Sequence, residues 1–140
     1  MNSKKIKATQ LPELPGIRHT ELQNGHVRFS FKHLNLAHPK FGIKHRDGEY
    51  LHKLLERLKN VSTFEAKQLR GNHSRAVRSH PIAWGDTTEP DGFSHLNEQL
   101  KGIDAFQFEC EEKEYGRIHG FYIENIFFVV WLDSDHKLYK

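Results

Sequence analysis

The sequence predicts an α+β domain in which an antiparallel sheet of four or five strands carries a pair of helices. Three observations lead there. From Ala105 to Tyr139, the stretches AFQFEC, GRIHGFYIEN and IFFVVWLDSDHKLY have strand length and strand patterning and are joined by turn residues. Leu51, Leu54, Leu55 and Leu58 recur at i, i+3, i+4 and i+7, the spacing of one helix face. Asn24-Gly25 separates IRHTELQ from HVRFSFKHLNL, a hairpin signal because a type I′ turn needs positive φ at both central residues.

In chain order, residues 1–16 hold Lys4, Lys5, Lys7, Pro12 and Pro15 without periodicity, so they read as a flexible basic arm. Residues 17–140 read as one domain. In its first hairpin, Val27, Phe29 and Phe31 face one side while Arg28, Ser30 and Lys32 face solvent. Residues 37–48 form a basic loop, and the leucine stripe predicts a helix from Glu49 to Lys59. Ser62 and Glu65 have capping-box spacing, which predicts a second helix from Thr63 to Leu69 with Ser62 as N-cap. Residues 70–92 are turn-rich. Within them Pro81 disfavours helix at His80, and Trp84 is expected to plug an end of the core. Phe93, Leu96 and Leu100 predict a short helical turn over 92–100.

The strands of the last third follow. In the final one, Ile126, Phe128, Val130 and Leu132 point one way, and Phe127, Val129 and Trp131 the other. Apolar residues on both faces predict a central strand covered on both sides, with segment 73–100 lying opposite the helices. In the strand before it, Tyr115, Arg117, His119, Phe121 and Ile123 share one face and Tyr122 lies on the other.

The totals narrow the function classes. With 36% hydrophobic residues but 10 Phe, 4 Tyr and 2 Trp among 140, the core must be largely aromatic. A net charge of +3 and a pI near 9.0 point weakly to a polyanionic partner, and the 11 histidines add charge below about pH 6.5. A single cysteine, Cys110, excludes an internal disulfide and suggests a reducing compartment. In step with Phe106 and Phe108, it reads as a buried structural thiol. No apolar run reaches the roughly 20 residues of a membrane span, and MNSKKIKATQ lacks a signal peptide's apolar segment. The expectation is a soluble cytoplasmic protein with no membrane partner.

Among chemical motifs, HExxH, cysteine clusters, nucleophile elbows, phosphate-cradling glycine loops and dinucleotide fingerprints are absent. His73, His80 and His95 read as scattered surface histidines, so no metal and no other cofactor is expected. Asp133 and Asp135 read as turn residues at a strand end, favoured there for their local backbone hydrogen bonds. What remains is a basic, imidazole- and tyrosine-bearing set: Arg70, Arg75, Arg78, His80 and His95, with Arg117, His119, Tyr122, His136, Lys137 and Tyr139. That inventory suits metal-free RNA cleavage. A base takes the 2′-hydroxyl proton, cations stabilise the phosphorane, an acid protonates the leaving oxygen, and an aromatic ring holds a splayed base. It suits a solvated basic sheet face with satisfied histidines as well.

GRIHGFY, IFFVVWL and DHKLY, following a helical pair, resemble the last strands of the RelE/ParE-type toxin superfamily, over roughly residues 48–139. There a Y-R-x-x-Y-like strand, an apolar strand and a closing H-R-x-x-x-Y recur, and Lys137 stands where arginine is common. The resemblance implies a RelE-like sheet with a helical pair and an endoribonuclease acting without metal on messenger RNA, including ribosome-bound message. It also implies a cognate antitoxin as partner. Arg117 resembles the family's phosphate-contacting arginine, and His136, Lys137 and Tyr139 its terminal cluster. Catalysis would then rest on His119 or His136 as base or acid, on Arg117 and Lys137 as charge stabilisers, and on Tyr122 or Tyr139. Arg70, Arg75, Arg78, His80 and His95 would bind the nucleic acid. The alternative is a non-catalytic module that docks on protein or nucleic acid through the basic 38–46 and 70–80 loops, including ParE-like inhibition of a protein target.

Overall fold

The computed structural model describes residues 25–71, 78–111 and 114–140. The expected flexible arm, the first hairpin strand and Arg75 lie outside the described residues. The fold is α+β, a five-stranded sheet in the order β1-β5-β4-β3-β2. Its strands are β1 (Arg28–Ser30), β2 (His80–Pro81), β3 (Ala105–Glu109), β4 (Arg117–Ile123) and β5 (Ile126–Asp133). The sheet is mixed rather than wholly antiparallel, because β1 runs parallel to β5. The 17-residue stretch from Phe31 to Asp47 and the helices that follow separate β1 from its partner, as a parallel pair requires a crossover.

The helix α1 (Gly48–Val61) is longer than the leucine stripe suggests. Asp47 is its N-cap, accepting from the Tyr50 amide, and satisfies one of the donors that an α-helix leaves unpaired at its start. Its buried residues are Tyr50, Leu54, Leu58 and Val61. Leu51 and Leu55, expected inside, are 45% and 65% exposed. Tyr50 and Val61 rotate the apolar stripe by one position, so the helix packs along an i, i+4, i+8, i+11 line.

The helix α2 (Ala66–Gly71) begins later than expected. Ser62 closes α1 instead of opening α2: its backbone is helical and its hydroxyl donates to Lys59. The reach-back expected of Glu65 is made by Gln68, whose side chain accepts from the Glu65 amide. A 3₁₀ turn (Trp84–Asp86) and a one-turn helix α3 (Glu98–Lys101), shorter and later than the 92–100 expectation, complete the described elements.

The helices cover one face of the sheet, where Leu54, Leu58 and Leu69 pack on Phe108, Ile118, Phe127 and Leu132. Among the described residues, the other face has no long helix on it. Phe41 of the 31–47 stretch, with Ile82, Phe93 and Leu96, packs there on Phe121, Val130 and Trp131. Of the cover expected from 73–100, the described residues supply Ile82, Phe93 and Leu96, joined by Phe41 and by Leu138 of the C-terminal stretch. Trp84 meets Phe93 and Trp131 edge-on at 5.0 and 6.0 Å.

The strand β5 is internal, but β4 occupies the middle of the sheet. A bulge breaks the alternation of β5: Val129 pairs with Gly120 and Trp131 with His119, leaving Val130 as the extra residue. Phe127, Val129 and Leu132 therefore face the helices while Val130 and Trp131 both face the loops. The bulge carbonyl is not left bare, since the Asn35 amide donates to Val130 at 2.9 Å. Opposite the bulge only glycine fits. A Cβ at Gly120 would overlap the Phe128 carbonyl oxygen and the Phe127 ring.

Candidate functional site

The bulge determines which polar residues meet. Without Val130 as an extra residue, Trp131 and Asp133 would lie on the helix-covered face with Val129. With it, both come to the loop-covered face. Two rows then cross the sheet there, because residues two apart on a strand share a face. One row runs His80, Gln107, His119 and Trp131, and the other Glu109, Arg117 and Asp133.

The first row is closed from solvent at its centre. His119 has no exposed surface and lies 5.7 Å from the Phe41 ring, edge to face, and 6.2 Å from Trp131. Burial, helped by the charges of Arg117 and His80, pushes its pKa down to about 3, so the ring is neutral at pH 7. Among the described residues neither ring nitrogen has a hydrogen-bond partner; Nε2 is 3.8 Å from the Asp133 carboxylate. Beside it, the Gln107 side-chain amide lies 2.9 Å from His80 Nε2, and His80 Nδ1 lies 2.9 Å from the Pro81 carbonyl. A donating amide fixes Nε2 as the acceptor and Nδ1 as the donor, an assignment from the hydrogen-bond pattern.

The second row opens outward. Glu109 is buried and is flanked by Arg117 Nη2 at 3.7 Å and Arg78 Nε at 3.8 Å. The Arg78 side chain is 68% exposed and that of Arg117 27%, so both guanidinium groups reach solvent while sharing one carboxylate. Asp133 is buried too, and its two oxygens accept the amides of Lys137 at 2.7 Å and Leu138 at 2.9 Å. Burial raises its pKa above the usual carboxylate value, against those two amides and the charges of His136 and Arg117. The turn reading of Asp133 holds in this respect, since its side chain ties down the backbone five residues on. His136 and Lys137 are exposed on that turn, with His136 at φ 55°.

The remaining expected site residues stand elsewhere. Tyr139 is half-buried and its hydroxyl accepts the Ala83 amide at 2.9 Å, pinning the C-terminal stretch to segment 83–88. His95 is exposed and stacks on Trp131 at 6.3 Å, with a pKa lowered first by partial burial. Arg70 donates to the carbonyls of Glu124 and Tyr122 and lies 5.2 Å from the Tyr122 ring, so it holds α2 against the β4–β5 turn. Tyr122 is buried on the helix-covered face, its pKa pushed up to about 12 by burial. Thus Arg117, His119, His136, Arg78 and His80 gather around the two rows, and Lys137 borders them through its backbone. Arg70, Tyr122 and Tyr139 do not join them, and His95 touches the first row only through the Trp131 ring.

Two members of the rows were not singled out from the sequence, Gln107 and Glu109. Both alternate with Phe106 and Phe108 in β3 and with Cys110 just beyond it, a polar period-two signal set against an apolar face. Among the described residues, no group of three or more His, Cys, Asp or Glu is arranged to hold a metal ion, and no helix is long and apolar enough to cross a membrane. Comparison of the chain with protein-family models, with curated proteins and with solved structures returns no match in any of the three.

Proposed function

We propose that the protein binds RNA at the strand end formed by Arg117, Asp133 and His136, and cleaves it without a metal as a toxin of the RelE/ParE type acting on messenger RNA. A cognate antitoxin belongs to the same reading. The observation that carries it is a convergence: Arg117 on β4 stands in register with Asp133 on β5, and the Asp133 carboxylate accepts the Lys137 and Leu138 amides, fixing beside it the turn after β5 that carries His136. Arg117 and Lys137 then supply charge for the phosphorane. His136, exposed on its turn, moves the proton. His119 is a packing residue in this reading, because a ring that is fully buried and neutral at pH 7 meets no substrate.

One observation favours a second reading, a docking module without chemistry. Glu109 already lies between Arg117 and Arg78, so much of the positive charge at the site is matched within the protein. Induced expression separates the two. Growth arrest with RNA fragmented in the presence of EDTA, lost in both Arg117→Ala and His136→Ala, supports the ribonuclease. Arrest with intact RNA supports docking on a protein target, and no arrest contradicts the toxin reading.

A further inference from the structure

Charge is not spread evenly along this chain. Between Gly25 and Arg46 there are five Lys or Arg and four His, and no Asp or Glu. The whole chain is +3, so the residues outside this segment sum to −2. The segment also has a continuous course over the fold. It starts at β1, the edge of the sheet, and is tied to β5 by the Asn35–Val130 hydrogen bond. It crosses the loop-covered face at Phe41, stacked on Trp131 at 4.6 Å. It ends where His45 and Arg46 meet Asp135 at 2.7 and 3.5 Å, beside the turn that carries His136.

Some of its cations hold the segment down. Lys40 pairs with Glu89, and Arg46 with Asp135. Others point away from the protein: Lys32 and Lys44 are exposed and have no ion pair among the described residues. Next to Lys32, Phe31 is 51% exposed, an uncommon position for a large aromatic ring in a protein whose other phenylalanines build the core. Cations of one sign following a path, interleaved with a solvent-facing ring, are the features that bind single-stranded nucleic acid: phosphates go to the ammonium groups and a base stacks on the ring. A duplex offers no free base face to that ring.

We infer that residues 28–46 form the track along which single-stranded RNA reaches the Arg117–His136 strand end, with Lys32 and Lys44 on phosphates and Phe31 stacked on a base. This rests on the RNA reading above. It goes beyond it in naming a surface that the cleavage chemistry does not require.

The test is fluorescence anisotropy of the full chain with a labelled 12-nucleotide oligouridylate, at a series of salt concentrations. Lys32→Glu/Lys44→Glu is expected to weaken binding at least tenfold and to flatten the salt dependence by about 1.4, two contacts at about 0.7 each for a single strand. Phe31→Ala is expected to weaken binding about fivefold. Lys59→Glu/Lys67→Glu, an equal charge change on the helix-covered side, is expected to stay within about twofold. All four lysines are exposed, so melting temperatures should remain close to wild type. If the Lys32/Lys44 variant binds like wild type while Arg117→Ala does not, the track is wrong and the RNA reading stands. If both lysine pairs weaken binding equally, affinity follows bulk charge and the track is again overturned. If the wild type binds no RNA at low salt, both readings fail.

Discussion

On one face of the sheet, α1 and α2 bury a continuous aliphatic and aromatic layer, from Leu54 and Leu58 to Phe108 and Phe127. On the other, irregular segments drop single aromatic plugs, Phe41, Phe93 and Trp84, around Trp131, and ion pairs to Glu89 and Asp135 fasten them. The helix face carries the fold through apolar area. The loop face gives up part of that burial to hold Gln107, Glu109, Arg117, His119 and Asp133 in two rows. Irregular cover is what admits polar side chains, because each loop can reach a different group, whereas a helix presents one repeating stripe. Apolar burial is concentrated on one side, and the buried polar rows lie on the other.

The largest expected effect comes from destroying the device that makes the faces differ. Gly120→Ala places a methyl group on the Phe128 carbonyl at the bulge, so a loss of about 4 kcal/mol or failure to fold is expected. Urea unfolding or soluble expression reads this directly, and a variant of wild-type stability would mean that the bulge is not where it is described. On the helix face the contrast lies within one helix. Leu54→Ala should cost about 3 kcal/mol, while Leu55→Ala, one position on and mostly exposed, should cost less than about 0.5 kcal/mol. Equal losses would place both leucines in the core.

On the loop face the expected effect depends on pH. The folded pKa of His119 is depressed to about 3 from an unfolded value near 6.5. The unfolded chain therefore binds more protons between those values. The contribution of His119 to stability is full above about pH 6.5 and is lost as pH falls towards 3. Asp133 acts in the opposite sense, since its raised pKa favours the folded state as pH falls. His119→Leu keeps the site apolar and should flatten the acid limb of stability, measured as urea midpoints from pH 4 to 7. An unchanged acid limb would mean that the ring is protonated in the fold. The smallest effect is chemical: Cys110, buried with its thiol pushed up to about 11, should resist alkylation at pH 7.5 until the protein is unfolded.

These contrasts also mark what the sequence could and could not disclose. The three C-terminal strands, α1 and the double-sided cover of β5 are legible because period two and period 3.6 are local signals. The buried thiol of Cys110 is legible for the same reason. The parallel pairing of β1 is not, because nothing in RFS specifies which neighbour it finds 98 positions on, from Arg28–Ile126 to Ser30–Phe128. Nor is the bulge: IFFVVWLD reads as unbroken alternation, and the inserted Val130 becomes visible only against Gly120 on the next strand. That one residue decides whether Asp133 faces the helices or Arg117. The grouping of Arg117 with His119 was legible from alternation, whereas the depth of His119 was not, because Phe41 arrives from 78 positions earlier to cover it.

The proposed site is the exposed strand end, with His119 in the interior. RNA cleavage in EDTA by purified wild type, Arg117→Ala, His136→Ala and His119→Leu, each checked for folding by circular dichroism, tests it most directly. The expected result is cleavage by wild type and His119→Leu, and none by the other two. Cleavage lost in folded His119→Leu but kept in His136→Ala would contradict the account.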